Sequence, residues 1–188
     1  SRSLELAMAK AENILRPLER HRRGPLRTVT GQVEIGRFRL SGTVGDIHER
    51  CIVSATPSTI RGKRRLQGWI NLLALTTFQP EPWEAAIIGS QGSRHQGPVA
   101  ESTARAALRQ LLEIHWQGLH RPVLWPPDCG CELIESGGYL GYRSKMYAHD
   151  ETWQMLIGPA RNIGEAPDFT QVSERVITPM LDHERKLS

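Results

Sequence analysis

The 188-residue chain has no apolar run near the roughly 20 residues that cross a bilayer, and nothing at its start reads as a signal peptide. It holds three cysteines, an odd count that argues against a disulfide scaffold and fits a reducing cytoplasm. Internal repeats and low-complexity tracts are missing too. So are the short motifs of several enzyme classes: there is no Walker-type glycine loop, no Gly-x-Ser-x-Gly elbow and no His-Glu-x-x-His. His120, His149 and His183 lie near acids or arginines, but spacing alone assembles no Ser–His–Asp set. What is left is a globular composition, 39% hydrophobic and 23% charged, about one domain long.

The stretch from Val33 to Leu75 organises the rest. Phe38, Leu40, Gly42 and Val44 share one parity, and Arg37, Arg39, Ser41 and Thr43 the other, which predicts a strand with one buried and one wet face. Val33 and Ile35 alternate likewise before Gly36, the turn of a hairpin. Cys51-Ile52-Val53 predicts a third short strand, ended by Pro57. Leu66, Trp69, Ile70 and Leu73 then fall at i, i+3, i+4 and i+7, the stripe of a helix lying on a sheet.

Upstream, Leu4, Met8, Ala11, Leu15 and Leu18 form another helical stripe, closed by Pro17 and Gly24-Pro25. Downstream, Trp83 to Ile88 reads as a buried strand and Ser90 to Pro98 as a polar surface loop carrying His95. Ser102 caps a helix with Ala104, Ala107, Leu108, Leu111 and Leu112 inside and Arg105 and Arg109 outside. This order predicts an α/β sandwich with a mixed sheet. Prolines and glycines between Gly118 and Gly141 forbid long regular elements. A last helix starts at Asp168 or Thr170, Pro179 kinks or ends it, and 182–186 is a frayed, charged tail. The expected organisation is one domain, with a core over about 26–120 and an irregular, helical extension over 121–188. The opening Ser1-Arg2-Ser3 lacks Met, so a fragment of a longer chain is expected.

The net charge of +4 and a pI near 9.2 make a polyanionic partner plausible. Arg16, Arg20, Arg22, Arg23 and Arg27 cluster at the end of the first helix and the following turn; Arg61, Lys63, Arg64 and Arg65 cluster before the second. Two readings stand, phosphate contact and solvated loops. Because the helix macrodipole disfavours cations at an N-terminus, the second cluster leans toward a non-structural role. Arg22, Arg23, Arg27, Arg61, Lys63, Arg64 and Arg65 are therefore the DNA-contact candidates. Trp116, Trp125, Tyr139, Tyr142 and Tyr147 could stack unpaired bases or anchor a protein interface. For Trp116 and Trp125 the favoured reading is pinning an irregular loop to the core. Cys129-Gly130-Cys131, with His115 or His120, lacks the second ligand pair of a structural zinc site, and no metal is expected there.

A metal-dependent nuclease built as strand, strand, strand, helix needs an acid at the end of the second strand. It also needs an acid and a lysine two residues apart on the third, which share a face. Laid on this chain, those positions are Gly45, Ser54 and Thr56, and none can do that chemistry. Asp46 is one residue away, but one step along a strand reverses the face, so Asp46 is read as a turn residue.

The chain resembles the C-terminal domain of the exodeoxyribonuclease V gamma subunit, RecC. The resemblance rests on Phe38-Arg39-Leu40-Ser41-Gly42-Thr43-Val44, on Leu66 to Leu75, on Leu112 to Pro126, and on Asp168-Phe169-Thr170 through Ile177 to Leu181. It implies a PD-(D/E)xK restriction-endonuclease-like core with a degenerate active site, and a non-catalytic scaffold within the RecBCD complex. The implied partners are DNA, at a fork or as a single strand, and the RecB and RecD subunits, RecD docking on this domain. The implied setting is the cytoplasm, in double-strand break repair, homologous recombination and Chi recognition. The complex would supply ATP-dependent exonuclease and helicase activity, while this piece binds neither ATP nor a metal and uses no cofactor. Two rivals stay open: an active nuclease using the displaced acids Asp46, Glu34 or Glu49, and a pure protein-interaction module.

Overall fold

The structure, a computed structural model, describes residues 2–158 and 162–187, and the side chain of Leu4 lies outside the description. Residues 1–109 with 180–188 form one compact unit, and residues 110–179 form another.

In the first unit α1 (Arg2–His21) leads into a meander of β1 (Leu26–Ile35), β2 (Phe38–His48) and β3 (Cys51–Ala55). The helix α2 (Gly62–Phe78) crosses over, so that β4 (Glu84–Gly89) lies parallel to β3. Next, β5 (Gly92–Gln96) turns back against β4, and α3 (Glu101–Gly118) begins in this unit. Last in the chain, β6 (Glu184–Leu187) pairs with β5 and completes a six-stranded mixed sheet in the order β1-β2-β3-β4-β5-β6.

Burial explains the middle of this sheet. Ala85 to Gly89 are all buried, as a parallel strand covered on both faces requires. On one face α2 comes close because Gly68 has no side chain: a Cβ there would stand 2.8 Å from Ile87 Cδ1. The buried stripe of α2 is Trp69, Leu72, Leu73 and Thr76, whereas Ile70 is 38% exposed. The helix is thus rotated by part of a turn from the expected stripe of Leu66, Trp69, Ile70 and Leu73. Ile14 and Leu18 of α1 pack on Val53 and Ile88, while Met8, Ala11 and Leu15 stay exposed, so among the described members of the α1 stripe only Leu18 is buried.

Two expectations for this unit are corrected. Ser90 to Pro98 is not a loop: its middle is β5, where His95 and Gln96 are buried. Residues 182–186 are not a frayed tail, because β6 runs through them along β5. The strand β6 returns to the sheet, so the residues from Met180 onward group with the first unit.

The second unit holds α4 (Pro127–Glu135), α5 (Tyr142–Ala148), α6 (Glu151–Ile157), a 3-10 turn at Ile163–Glu165 and most of α7 (Phe169–Asp182). Its core is Cys129, Leu133, Ile163 and Phe169, with Leu124, Trp125, Leu140, Tyr147 and Trp153 against it. The stretch that forbids long regular elements holds the short helix α4, with Pro127 at its start, where no backbone donor is needed. Pro179 does not end α7, which runs on to Asp182. Among the described residues no helix is long and apolar enough to cross a membrane.

Candidate nucleic-acid interface

The second and third strands part almost at once. Pairing between β2 and β3 is confined to Ile47 with Ile52 and His48 with Cys51. Continued in register, Gly45 would face Ser54, but a bulge intervenes. Arg27 pairs with Ile47 and Val29 with Val44, so β2 carries one more residue than β1 across this gap. Asp46 takes the left-handed conformation there, at φ 54°, and is exposed. It is a bulge residue inside β2 rather than a residue of the following turn, and the bulge puts both Val44 and Ile47 inside.

At this fork Gly45 is half-buried, Ser54 is exposed, and Thr56 is buried with its hydroxyl 2.9 Å from that of Ser58. The displaced acids do not converge. Glu34 stands at the far end of β1, paired with Arg39 at 3.4 Å and roughly 20 Å along the strand from the bulge. Glu49 occupies the β2–β3 turn at φ 51°. Among the described residues, no group of three or more His, Cys, Asp or Glu side chains is placed to hold a metal ion. Cys129 and Cys131 are buried in α4, where residues i and i+2 point about 200° apart and cannot share one ion.

Of the seven basic candidates, Arg22, Arg23, Arg27, Arg61, Lys63 and Arg64 are exposed. Arg27 belongs to β1 rather than to a turn. Arg61 caps α2 with no side-chain hydrogen bond, and the first turn of that helix holds no acid. Arg65 is the exception. It is 3% exposed and held by Glu184 of β6, so its guanidinium has no face left for a phosphate.

Arg20 and Arg23 line an open pocket of about 270 Å³ with His21, His48, Cys51 and Glu84. The rings of His21 and His95 stand 4.7 Å apart. Burial lowers the pKa of His21, opposed by Glu84 and reinforced by Arg20 and Arg23. Burial also lowers that of His95, with His21 and Arg185 adding to the effect against Glu84. The Cys51 thiol is pushed up to about 11 by burial, and Glu84 acts in the same direction.

A further basic group escaped the linear reading. Around the β1–β2 turn stand Arg37, Arg39, Arg105 and Arg109. Arg105 donates to the Glu34 carbonyl at 3.2 Å, and Arg109 Nε lies 3.7 Å from where a Cβ on Gly36 would begin. Each pair had a signal, alternate strand positions and an i,i+4 helix face, but only the fold brings the two together. In the second unit Trp125 pins its loop as expected, donating to Ser173 Oγ at 2.8 Å. Trp116 does not: it is 44% exposed and rests on His120.

A model of the RecC C-terminal domain matches residues 2–138. The RecBCD enzyme subunit RecC of Mycolicibacterium smegmatis is 35% identical over 96 residues, which are 48% of this chain and 9% of that protein. The match therefore spans about a tenth of that relative's length. On the extent of the family match, the chain belongs to the RecC C-terminal domain family.

Proposed function

We propose that this domain is a non-catalytic, DNA-guiding scaffold of exodeoxyribonuclease V, the RecBCD complex, working in the cytoplasm in double-strand break repair and homologous recombination. RecB and RecD are its partner subunits, RecD docking on it. In this reading the core is PD-(D/E)xK-like, since a helix, a three-strand meander, a second helix and a strand parallel to the third follow in that order. The observation that carries the proposal is the chemistry of the fork. Gly45 offers no side chain, and Ser54 and Thr56 offer neutral hydroxyls where a magnesium site requires carboxylates. The exposed Arg61, Lys63 and Arg64 support the DNA-guiding part, with Arg22, Arg23 and Arg27 as a second patch.

The test is to incubate the purified full-length chain, free of other subunits, with labelled linear DNA and Mg²⁺ or Mn²⁺. No cleavage is expected. Chelator-sensitive cleavage that Asp46→Asn abolishes overturns the proposal in favour of a working nuclease. Co-purification of RecD with the full-length chain, set beside a DNA titration, separates scaffold from pure interaction module.

A further inference from the structure

A small polar pocket opens beside the start of α2, between the segment before Arg61, the β4–β5 turn and the end of β6. Its volume is about 90 Å³, and Thr59, Gln91, Ser93, Arg94 and Lys186 line it. The walls are held by packing. Ile60 lies against Gly89, where a Cβ would come within 2.6 Å of Ile60 Cγ1, and the Ser90 N–H donates to the Ser58 carbonyl at 3.2 Å.

The charges around it do not balance. Arg94 and Lys186 are direct cross-strand partners, a like-charge juxtaposition that destabilises a sheet. The carboxylate beside them, Glu184, is shared between Arg94 at 3.2 Å and the buried Arg65. Two cations thus share one acid, and among the described residues no acid lies within ion-pair distance of the third, Lys186. Thr59 adds a hydroxyl and Gln91 an amide donor. The exposed cations Arg61, Lys63 and Arg64 follow next along the chain.

We infer that this pocket is a phosphate subsite that seats one phosphodiester of a nucleic-acid strand, with Lys186 and Arg94 as its cations and Thr59 and Gln91 as its neutral donors. The volume suits a single phosphate group and falls well below the roughly 300 Å³ at which sites for larger ligands begin. An anion seated there would also relieve the repulsion between Arg94 and Lys186. The inference rests on the DNA-guiding reading and adds to it a place where the strand's backbone would be gripped.

The experiment is a salt series of fluorescence-anisotropy titrations with a labelled single-stranded oligonucleotide, using the full-length chain, Lys186→Glu, Lys186→Ala, Gln91→Ala and the double reversal Arg61→Glu with Arg64→Glu. Lys186→Glu is expected to weaken binding roughly ten-fold and to reduce the salt slope by about 1, the signature of one lost phosphate contact. Its melting temperature is expected to hold or rise, since a glutamate opposite Arg94 replaces repulsion by attraction. Lys186→Ala and Gln91→Ala are expected to weaken binding less. A wild-type chain that binds no DNA sinks the DNA-guiding reading and this subsite together. Binding that depends on Arg61 and Arg64 but ignores Lys186 and Gln91 sinks the subsite alone. Inorganic phosphate titrated by itself, followed at the amides of Gly92 and Ser93, separates the two sources of the anion. A response to the oligonucleotide without one to millimolar phosphate supports the phosphodiester; a response to phosphate that the oligonucleotide does not displace overturns it.

Discussion

Arg65 and Glu184, separated by 119 residues, meet in a two-point clasp: Nε donates to Oε2 at 3.1 Å, and Nη2 stands 2.6 Å from Oε1. Their side chains are 4% and 2% exposed, and Gln96 donates to Glu184 Oε2 at 2.9 Å and to the Arg65 carbonyl at 3.0 Å. This network ties α2, β5 and β6 together.

Removing one partner strands the other. Glu184→Gln leaves a buried guanidinium without its counter-charge, and a loss of about 3–5 kcal/mol is expected from urea unfolding. Replacing both, Arg65→Met with Glu184→Leu, is expected to destabilise less than the single change. Equal losses would show that the clasp acts through shape rather than charge.

Stability depends on pH through the paired imidazoles. Burial holds the pKa of both His21 and His95 below the ordinary 6.5, so the unfolded chain takes up protons more readily than the folded one. The contribution is full above that value and is lost as the pH falls below it. Urea midpoints are expected to drop between about pH 7.5 and about pH 5.5, and His95→Gln is expected to flatten that slope. An unchanged slope in the variant would move the titration elsewhere.

Thiol chemistry reports the same end of the sheet. With the Cys51 thiol pushed up to about 11, and Cys129 and Cys131 buried, the native chain is expected to react slowly with an aromatic disulfide reagent at neutral pH. All three thiols should titrate quickly once the chain is unfolded. Fast labelling of Cys51 in the native state counts against its burial.

Trp125→Phe removes the donor to Ser173 while keeping an aromatic ring. The loss is expected near 1 kcal/mol, because Ser173 still donates to the Phe169 carbonyl at 2.7 Å. Chemical unfolding followed by circular dichroism measures it, and a null effect would assign the pinning to the ring alone.

Much of the first unit could be read from local pattern, because alternation and helical stripes are local signals. Phe38 to Val44, Cys51 to Val53 and Ile87 with Ile88 all fall in strands. What escaped depends on partners distant in the chain. Gly92 to Gln96 is polar because Gln96 and Arg94 serve Glu184, and Glu184 looks like tail because its partners lie far upstream. Arg65 shows the same limit at the candidate interface: between Arg64 and Leu66 it reads as one more cation of a basic run, and only its position on α2 turns it inward. The bulge at Gly45 and Asp46 reverses the parity of β2, but only Ile47 and His48 of the strand follow it, too few to show the new alternation.

The place of β6 in the sheet also bears on biosynthesis. While the nascent chain emerges from the ribosome, β5 has an open edge and the Arg65 guanidinium lacks its carboxylate until the segment around Glu184 has been translated. The sheet must then wait, partly assembled, through the synthesis of about 90 intervening residues, which exposes a strand edge to other chains meanwhile.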